Sequence, residues 1–542
     1  MSDTKNMTRP LLPGGALLLA SLFAANAHAA APGITGPSFD LTAAAGYISQ
    51  PDGASVYSWG YGCHTQPSGF SPAAIAGARC PNGEMQLPGP TLIVTQGDTV
   101  SVTLHNNLPT AAGNTSILFP GFSVATTSGD AGVAGLLTRE AVHGSTVTYT
   151  FTATNAGTHT YYSGTQGDLQ IEMGLYGAII VLPRLNGGAP TGYVAPATNT
   201  RLPATCHALG APDHLPTGHT DFRLAAAAFD HPSTCYDREY LFQFSEMDPG
   251  IHRQAEEQAT KPCTQPTGCM SVATEPYVPA YFMINGRSMP DDMDPNYALQ
   301  YPHQPYNGNP HMHPGELVLL RIIGNGRWQH PFHEHGNHVR VLARDGNLLL
   351  TSSSNKLAGP LLFTTTTTPG QTIDGIFEWT GKGLNWDAYG HHAADPARGL
   401  AAADPGCVPD GNGFYTTASG ASINAPNYYE WCADHRKPLE ARPFGDVGNG
   451  GPVTLPDPNI LAYGAWYGGS PYLGPEAMQR AVGSTPIPPS GTVGNSPTDE
   501  AGFAFMWHSH NEREITTNNA FPGGMMMMML VDPWVFRIVE AN

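Results

Sequence analysis

The chain has 542 residues, enough for about two to four domains, and only 12% of its residues are charged. Its 63 glycines and 50 prolines are typical of an all-β protein with many turns and long loops. A net charge of −19 argues against nucleic acid or an anionic membrane as a partner, and otherwise indicates only solubility.

Residues 1–29 have the features of a secretory signal peptide. Lys5 and Arg9 provide a basic start, residues 17–25 are a short apolar run, and Ala27-His28-Ala29 fits the A-x-A cleavage pattern. This run is too short to span a bilayer, and no later stretch is long enough. We therefore expect an exported protein, periplasmic or extracellular, without a membrane span.

The eight cysteines fall as neighbours along the chain: Cys63 and Cys80, Cys206 and Cys235, Cys263 and Cys269, Cys407 and Cys432. An even number of cysteines in an exported chain indicates disulfides. Many pairings are possible, but short loop closure favours the bonding of neighbours. A thiolate metal site is the alternative, although no C-x-x-C pair occurs.

The strand pattern predicts two β domains. In residues 30–185, Val100, Val102 and Leu104 alternate with polar residues, as expected for a strand with one buried face. Residues 186–237, rich in Ala, Pro, Thr and His, form a linker or insertion. Strand signals then resume in residues 238–542, which we predict to be the second domain. A three-domain chain with an eroded middle domain between residues 187 and 309 is the rival interpretation.

Within the second domain, the strand pattern lapses at about residues 381–499. A structureless loop of that length is uncommon in a compact domain, so we interpret it as an insertion that wraps the second domain. It could cover a site, contact a partner or serve only as packing.

Two histidine pairs carry the strongest chemical signal. His508 and His510 are two residues apart, and so are His333 and His335. Residues two apart on a strand point to the same side of the sheet. If the two strands are neighbours, four imidazoles face one point, and imidazole suits copper, zinc, iron and nickel.

The sequence around these pairs resembles the multicopper oxidase family, including laccases. HPFHEHG, at residues 330–336, is similar to the family motif HPFHLHG, and WHSH followed by PGGM is similar to the closing motif of its copper-binding domain. Residues 88–109 (PGPTLIVTQGDTVSVTLHNNLP) and 174–183 (GLYGAIIVLP) resemble the start and end of such a domain. The resemblance implies an all-β fold of two cupredoxin-like β-sandwich domains with long loop insertions.

Position by position, the resemblance implies degenerate copper sites. In the first domain, Leu118, Pro120, Tyr162 and Gly164 stand where the family has histidines, so that domain retains no copper ligand. In the second domain the ligands His333, His335, His508 and His510 remain. Four residues of this chain stand at the ligand positions of the family's blue copper site. His330 and Glu514 stand where the family has its two histidines. Ser509 stands in place of the cysteine, and Met525 in place of the axial methionine.

Further residues are weaker candidates for the metal site. Glu512 and Glu514 would share the face of the histidines if the strand continued past His510, but a turn there would break that register. His311 and His313 form a third pair at spacing two. Glu334 should face away from its histidine neighbours.

We therefore expect a copper-binding oxidoreductase that works without type 1 blue copper and uses one copper ion, or another transition metal, on a small-molecule or metal-ion substrate. Two alternatives stay open. The chain is a catalytically inactive binding or structural protein, or it is an oligomeric oxidase, such as a homo-oligomer, whose partner chain completes the copper cluster.

The cysteine pattern makes a direct prediction. Thiol titration of the denatured, unreduced protein should find almost no free thiol, because all eight cysteines should be oxidised. Two or more free thiols would restore the case for a thiolate metal site.

Overall fold

The computed structural model describes residues 30–127, 132–194, 206–210, 219–265, 267–379, 502–532 and 538–539, with the short strand segments 407–409, 415–417, 469–472, 478–479 and 493–494. The predicted signal peptide and most of the 381–499 insertion lie outside the described residues.

The first half of the chain folds into two facing sheets. Its strands are β1 (Gly33–Thr35), β2 (Ser38–Ser49), β3 (Ser55–Cys63), β4 (Phe70–Ser71), β5 (Leu92–Thr95), β6 (Thr99–Asn106), β7 (Ala125–Thr127), β8 (Val133–Ala134), β9 (Arg139–Glu140), β10 (Thr146–Thr152), β11 (Gly157–Tyr162) and β12 (Tyr176–Leu182). One sheet has the order β11-β12-β5-β1-β4 and the other β3-β2-β6-β10-β7. Val100, Val102 and Leu104 of β6 are buried between them, as the alternation predicts.

The second half repeats this plan. Its strands are β13 (Arg238–Met247), β14 (Tyr281–Ile284), β15 (His311–Met312), β16 (Leu317–Gly324), β17 (His330–Glu334), β18 (Val339–Arg344), β19 (Asn347–Leu348), β20 (Leu361–Leu362), β21 (Thr364–Thr367), β22 (Thr372–Glu378), β23 (Cys407–Pro409), β24 (Tyr415–Thr417), β25 (Gly469–Tyr472), β26 (Met478–Gln479), β27 (Val493–Gly494), β28 (Gly502–Ser509) and β29 (Met526–Val531). The main sheets have the orders β14-β13-β16-β22-β18-β19 and β15-β29-β28-β17-β21. The predicted all-β class with two cupredoxin-like sandwiches is confirmed, while the limits of the two domains stay predictions.

The described residues contain few helices, and the longest of them, Pro249–Ala259, was not predicted from the sequence. Besides α1 (Gly167–Gln170) and two 3-10 turns (Thr110–Ala112 and Asp291–Met293), the described residues contain α2 (Pro249–Ala259). The Asp248 carboxylate caps α2 by accepting from Gly250 N at 2.8 Å. Pro249 occupies the first turn, where its missing N–H costs no hydrogen bond. No helix in the described part of the chain is long and apolar enough to cross a membrane.

The two sandwiches share an interface with a buried polar centre. Asp374 accepts from the backbone N–H of Thr158 at 3.0 Å and from its hydroxyl at 2.5 Å. Arg321 lies 3.4 Å from Asp374 and 2.8 Å from Glu239. Apolar residues from both halves also pack together in one buried cluster, which includes Ile93, Ala178, Ile180, Leu241 and Ile323.

The structure forms three of the four expected disulfides between neighbours: Cys63–Cys80, Cys206–Cys235 and Cys263–Cys269. Cys407 begins β23, but Cys432 lies outside the described residues, so the fourth bond stays a prediction.

The polar centre of the interface can be tested by removing its acceptor. Asp374→Ala leaves both donors of Thr158 buried without their acceptor, and each such group costs about 1–3 kcal/mol. We expect the free energy of unfolding to fall by at least about 2 kcal/mol, measured by denaturant titration. Glu84→Ala is the control. Glu84 is exposed, and its carboxylate lies 3.8 Å from His303, a long and solvent-exposed ion pair. Exposed ion pairs contribute roughly 0–1 kcal/mol to stability. Equal losses in the two variants would contradict this account of the interface.

Candidate metal centre

The centre is built on the pairing of β17 with β28. These strands run antiparallel, with His333 directly opposite His508. The pairing continues past the end of β28, where His510 N donates to Pro331 O at 2.8 Å. Because side chains alternate along a strand, His333, His335, His508 and His510 all lie on one face of the sheet.

The four imidazoles form one cluster. Ring centroids are 5.6 Å apart for His333 and His508, 4.8 Å for His333 and His335, 4.9 Å for His333 and His510, and 5.1 Å for His335 and His508. His333 and His508 occupy the middle, with His335 and His510 at opposite ends. Three of the residues are buried, whereas the His510 side chain is 54% exposed. The cluster is thus open to solvent at the His510 end.

Hydrogen bonds orient the middle rings. His508 Nδ1 lies 2.7 Å from the Ser509 carbonyl, which can only accept, so Nδ1 carries the proton of the neutral ring. The lone pair is then on Nε2, which faces His335 Nε2. His333 Nδ1 is 2.8 Å from Thr364 Oγ1. Metal-binding histidines usually have one ring nitrogen hydrogen-bonded to an oxygen in this way, while the other nitrogen binds the metal.

The spacing of the nitrogens fits a metal ion. His335 Nε2 and His508 Nε2 are 3.3 Å apart. Two nitrogens at about 2.0–2.1 Å from one tetrahedral ion would be separated by ~3.3 Å. The pair His335 and His508 therefore fits a copper or zinc ion by the spacing of its nitrogens and by its imidazole donors.

The electrostatic surroundings also keep these rings neutral. Burial, together with the neighbouring imidazoles His335, His510 and His508, lowers the pKa of His333 to about 4. Burial likewise lowers the pKa of His508, although its bond to the Ser509 carbonyl acts in the opposite direction. At neutral pH both rings therefore keep a lone pair for a metal.

His330 lies on the opposite face of β17 and has a different role. It is fully buried, with Nδ1 2.9 Å from Glu514 Oε2 and Nε2 2.9 Å from Glu246 Oε2. Burial alone would lower the pKa of His330, but the hydrogen bonds and charges of the two carboxylates raise it to about 9. His330 is therefore an imidazolium at neutral pH, with both nitrogens engaged as donors and neither available to a metal.

The remaining positions that the resemblance assigns to blue copper join the same network. Ser509 Oγ donates to Glu514, and Met525 N donates to Glu514 O at 2.7 Å. The Met525 side chain is buried in the core of the second sandwich. These residues lie together, but they offer no thiolate and their polar atoms are hydrogen-bonded to one another. They do not fit a blue copper ion.

The other candidates lie outside the cluster. β28 ends at Ser509 and a turn follows, so Glu512 and Glu514 do not share the histidine face. Glu512 is 84% exposed and 3.8 Å from His510. His311 lies on β15, separated from β28 by β29, and its Nδ1 is 2.5 Å from Asp532. His313 bonds Glu316 at 3.0 Å.

Glu334 faces away from its histidine neighbours, as expected. It does not reach the surface but is buried in the core, where Thr365 Oγ1 donates to it. Burial raises the pKa of Glu334 to about 8.

Three of the positions of the first sandwich that the resemblance assigns to histidines lie close together and are occupied by other residues. Leu118 pairs with Tyr162 through Leu118 N, which donates to Tyr162 O at 2.7 Å. A Cβ placed on Gly164 would lie 2.8 Å from Leu118 Cγ. Leu118 therefore occupies the space that a side chain at position 164 would need, and these positions bring no imidazole together.

The model of the multicopper oxidase family matches residues 76–186. The matched residues include Leu118, Tyr162 and Gly164 of the first sandwich. The resemblance seen in the sequence is confirmed.

Curated relatives match over a short stretch. Multicopper oxidase CTB12 of Cercospora beticola is 37% identical over 95 residues, which are 18% of this chain and 14% of that protein. Laccase-3 of Botryotinia fuckeliana is 37% identical over 109 residues, 20% of this chain and 22% of that protein. These matches span less than a quarter of either relative. A solved multicopper oxidase, mgLAC, aligns over 91% of this chain and 85% of its own, with 15% identity and a TM-score of 0.42.

The sequence did not predict the role of Glu246, one of the two carboxylates that bond His330. It lies 84 residues before His330, on β13, and no motif links the two positions. The one available signal was a glutamate close to the strand pattern of residues 240–244, since a buried carboxylate needs a partner.

The buried imidazolium can be tested by neutral replacement. His330→Gln keeps a donor but leaves Glu246 and Glu514 buried without their cation, and loss of one partner from such a group costs about 3–5 kcal/mol. We expect that loss in the free energy of unfolding, measured by denaturant titration with a chelator present so that metal binding does not contribute.

The matched control is His338→Gln, because His338 is exposed and contacts the Phe363 ring. It should change the free energy of unfolding by less than about 0.5 kcal/mol. If His330→Gln is as stable as this control, His330 is not a charged element of the core.

Proposed function

We propose that the protein is a copper-binding oxidoreductase related to multicopper oxidases, with its metal centre at His333, His335, His508 and His510. The observation that carries this proposal is the 3.3 Å separation of His335 Nε2 and His508 Nε2. Copper ranks above the neighbouring divalent metals in affinity for nitrogen sites, and it is the metal of the family whose domain matches residues 76–186.

The proposed activity does not use blue copper. Copper held by the four histidines would exchange electrons directly with a substrate. The protein's own residues prepare this site: Thr364 and the Ser509 carbonyl fix two of the rings, and Trp507 Nε1 donates to His335 O at 2.9 Å. Trp507 is fully buried, so this hydrogen bond ties the backbone at His335 to the core of the second sandwich.

Access to the centre is through its exposed end. His510 is the half-exposed member of the cluster, so a small molecule or a metal ion could approach there. Export to the periplasm or the extracellular space belongs to the same proposal and is supported by the three disulfides, which persist in oxidising compartments.

Two observations favour the alternatives. The filled site around Leu118 in the first sandwich favours a binding protein that has lost catalysis. The exposure of His510 favours a homo-oligomer in which a partner chain adds ligands at the open end. Metal content and oxygen consumption separate the three functions. One redox-active copper per chain supports the proposal, bound metal without redox activity supports the binding protein, and several coppers with oxygen consumption support the shared cluster.

The ligand set can be tested one residue at a time. His335→Ala and His508→Ala each remove one of the two nitrogens that already have the spacing of a metal site. Loss of an outer-shell partner costs about 10- to 100-fold in metal affinity, so we expect at least that loss on removal of a ligand. The measurement is copper titration of each purified full-length variant.

His338→Ala is the control, because His338 is close in sequence, exposed, and contacts Phe363 rather than the cluster. It should bind copper like the parent. Parental affinity in both His335→Ala and His508→Ala would exclude the four-histidine centre.

A further inference from the structure

A second group of metal-binding side chains lies on the first sandwich, where the sequence predicts no metal ligand. Asp40 on β2 and His105 on β6 belong to neighbouring parallel strands, and His64 directly follows β3. Asp40, His64 and His105 each offer one ligand atom, and these atoms all lie within 4.8 Å of one another. All three residues are partly exposed, so an ion from solvent can reach them.

The carboxylate of Asp40 is fixed between two partners. Its Oδ1 lies 2.7 Å from His105 Nε2, and its Oδ2 accepts from Thr65 Oγ1 at 2.9 Å. A carboxylate bound to an imidazole nitrogen in this manner is common at metal sites, as a ligand or as the group that orients one.

The backbone places His64 equally firmly. His64 N donates to Asp40 O at 2.8 Å, and the preceding residue, Cys63, is bonded to Cys80. The His64 ring is stacked on that of His105, with centroids 3.5 Å apart and planes 6° from parallel. Among the described residues, His64 Nδ1 is buried and has no hydrogen-bond partner. A buried ring nitrogen without a partner is unusual, because most such atoms are hydrogen-bonded.

We propose that Asp40, His64 and His105 bind a divalent transition-metal ion such as Zn²⁺. Two imidazoles and a carboxylate are ligands that zinc accepts at about 2.0–2.2 Å. The ion would replace the proton shared by His105 and Asp40, which requires their 2.7 Å contact to open by about 0.6–0.7 Å.

Binding also requires a small turn of His64. Lone pairs of parallel stacked rings do not converge, so the His64 ring must rotate out of the stack. No hydrogen bond to Nδ1 opposes that rotation within the described part of the chain. An adjoining pocket of about 380 Å³, lined in part by Asp40, Thr65 and Thr103, leaves space beside the group.

The test is calorimetric zinc titration of the metal-free, full-length protein and its variants. In the double variant H333A/H508A, which removes the middle of the four-histidine cluster, one zinc site should remain. Adding His105→Ala or Asp40→Asn to that background should weaken this remaining site at least 10-fold. Asp40→Asn nearly preserves the side-chain shape, so it tests the site even if His105→Ala disturbs the sheet.

His143→Ala in the same background is the control, since His143 is an exposed histidine of the same sandwich whose Nδ1 contacts Leu108 O at 2.7 Å. It should leave the remaining zinc site unchanged. The proposal is overturned if the double variant binds no zinc, if Asp40→Asn and His105→Ala bind like their background, or if His143→Ala weakens binding as much as they do. Because the background lacks the four-histidine centre, these outcomes do not depend on the proposed copper function.

Discussion

The antiparallel register of β17 and β28 is the constraint on which the candidate centre depends. With His333 opposite His508, alternation sends four histidines to one face and His330, Phe332, Glu334 and Ser509 to the other. A shift of one residue in either strand would move its histidines into the core and expose its apolar side chains. The buried Phe332 and Trp507, whose ring centroids are 6.1 Å apart, therefore stabilise the register as well as the core.

The two faces show how hydrogen-bond partners decide the role of a histidine. His330 lies between two carboxylates, which raise its pKa to about 9 and engage both of its nitrogens. His508 bonds a carbonyl, which takes one nitrogen and leaves the other free for a metal. These residues lie on adjacent strands, yet one is a charged element of the core and the other a neutral ligand candidate.

The sequence predicted the features that depend on local pattern, and missed those that depend on distant partners. The i, i+2 spacing of the histidine pairs predicted a shared face, and strand alternation predicted the buried residues of β6. The role of His330 depends on Glu246, which lies 84 residues away in the sequence. No local sequence pattern could therefore predict that role. Glu512 and Glu514 could not be assigned to a face without knowing that β28 ends at Ser509. Helix α2 was missed because its cap, Asp248-Pro249, is a weak signal between strong strand patterns.

The two sandwiches share a fold but differ in what their matching positions can bind. In the first sandwich, Leu118 pairs with Tyr162 and fills the space beside Gly164. The second sandwich has a cluster of four imidazoles. The first sandwich instead gathers Asp40, His64 and His105 on the outer side of its β3-β2-β6 sheet. Residues that face outward can be substituted with little change in stability, because their side chains are exposed to solvent and do not pack in the core. In the two proposals, the second sandwich binds metal on one face of its β17-β28 pair, and the first binds metal on the outer side of its β3-β2-β6 sheet.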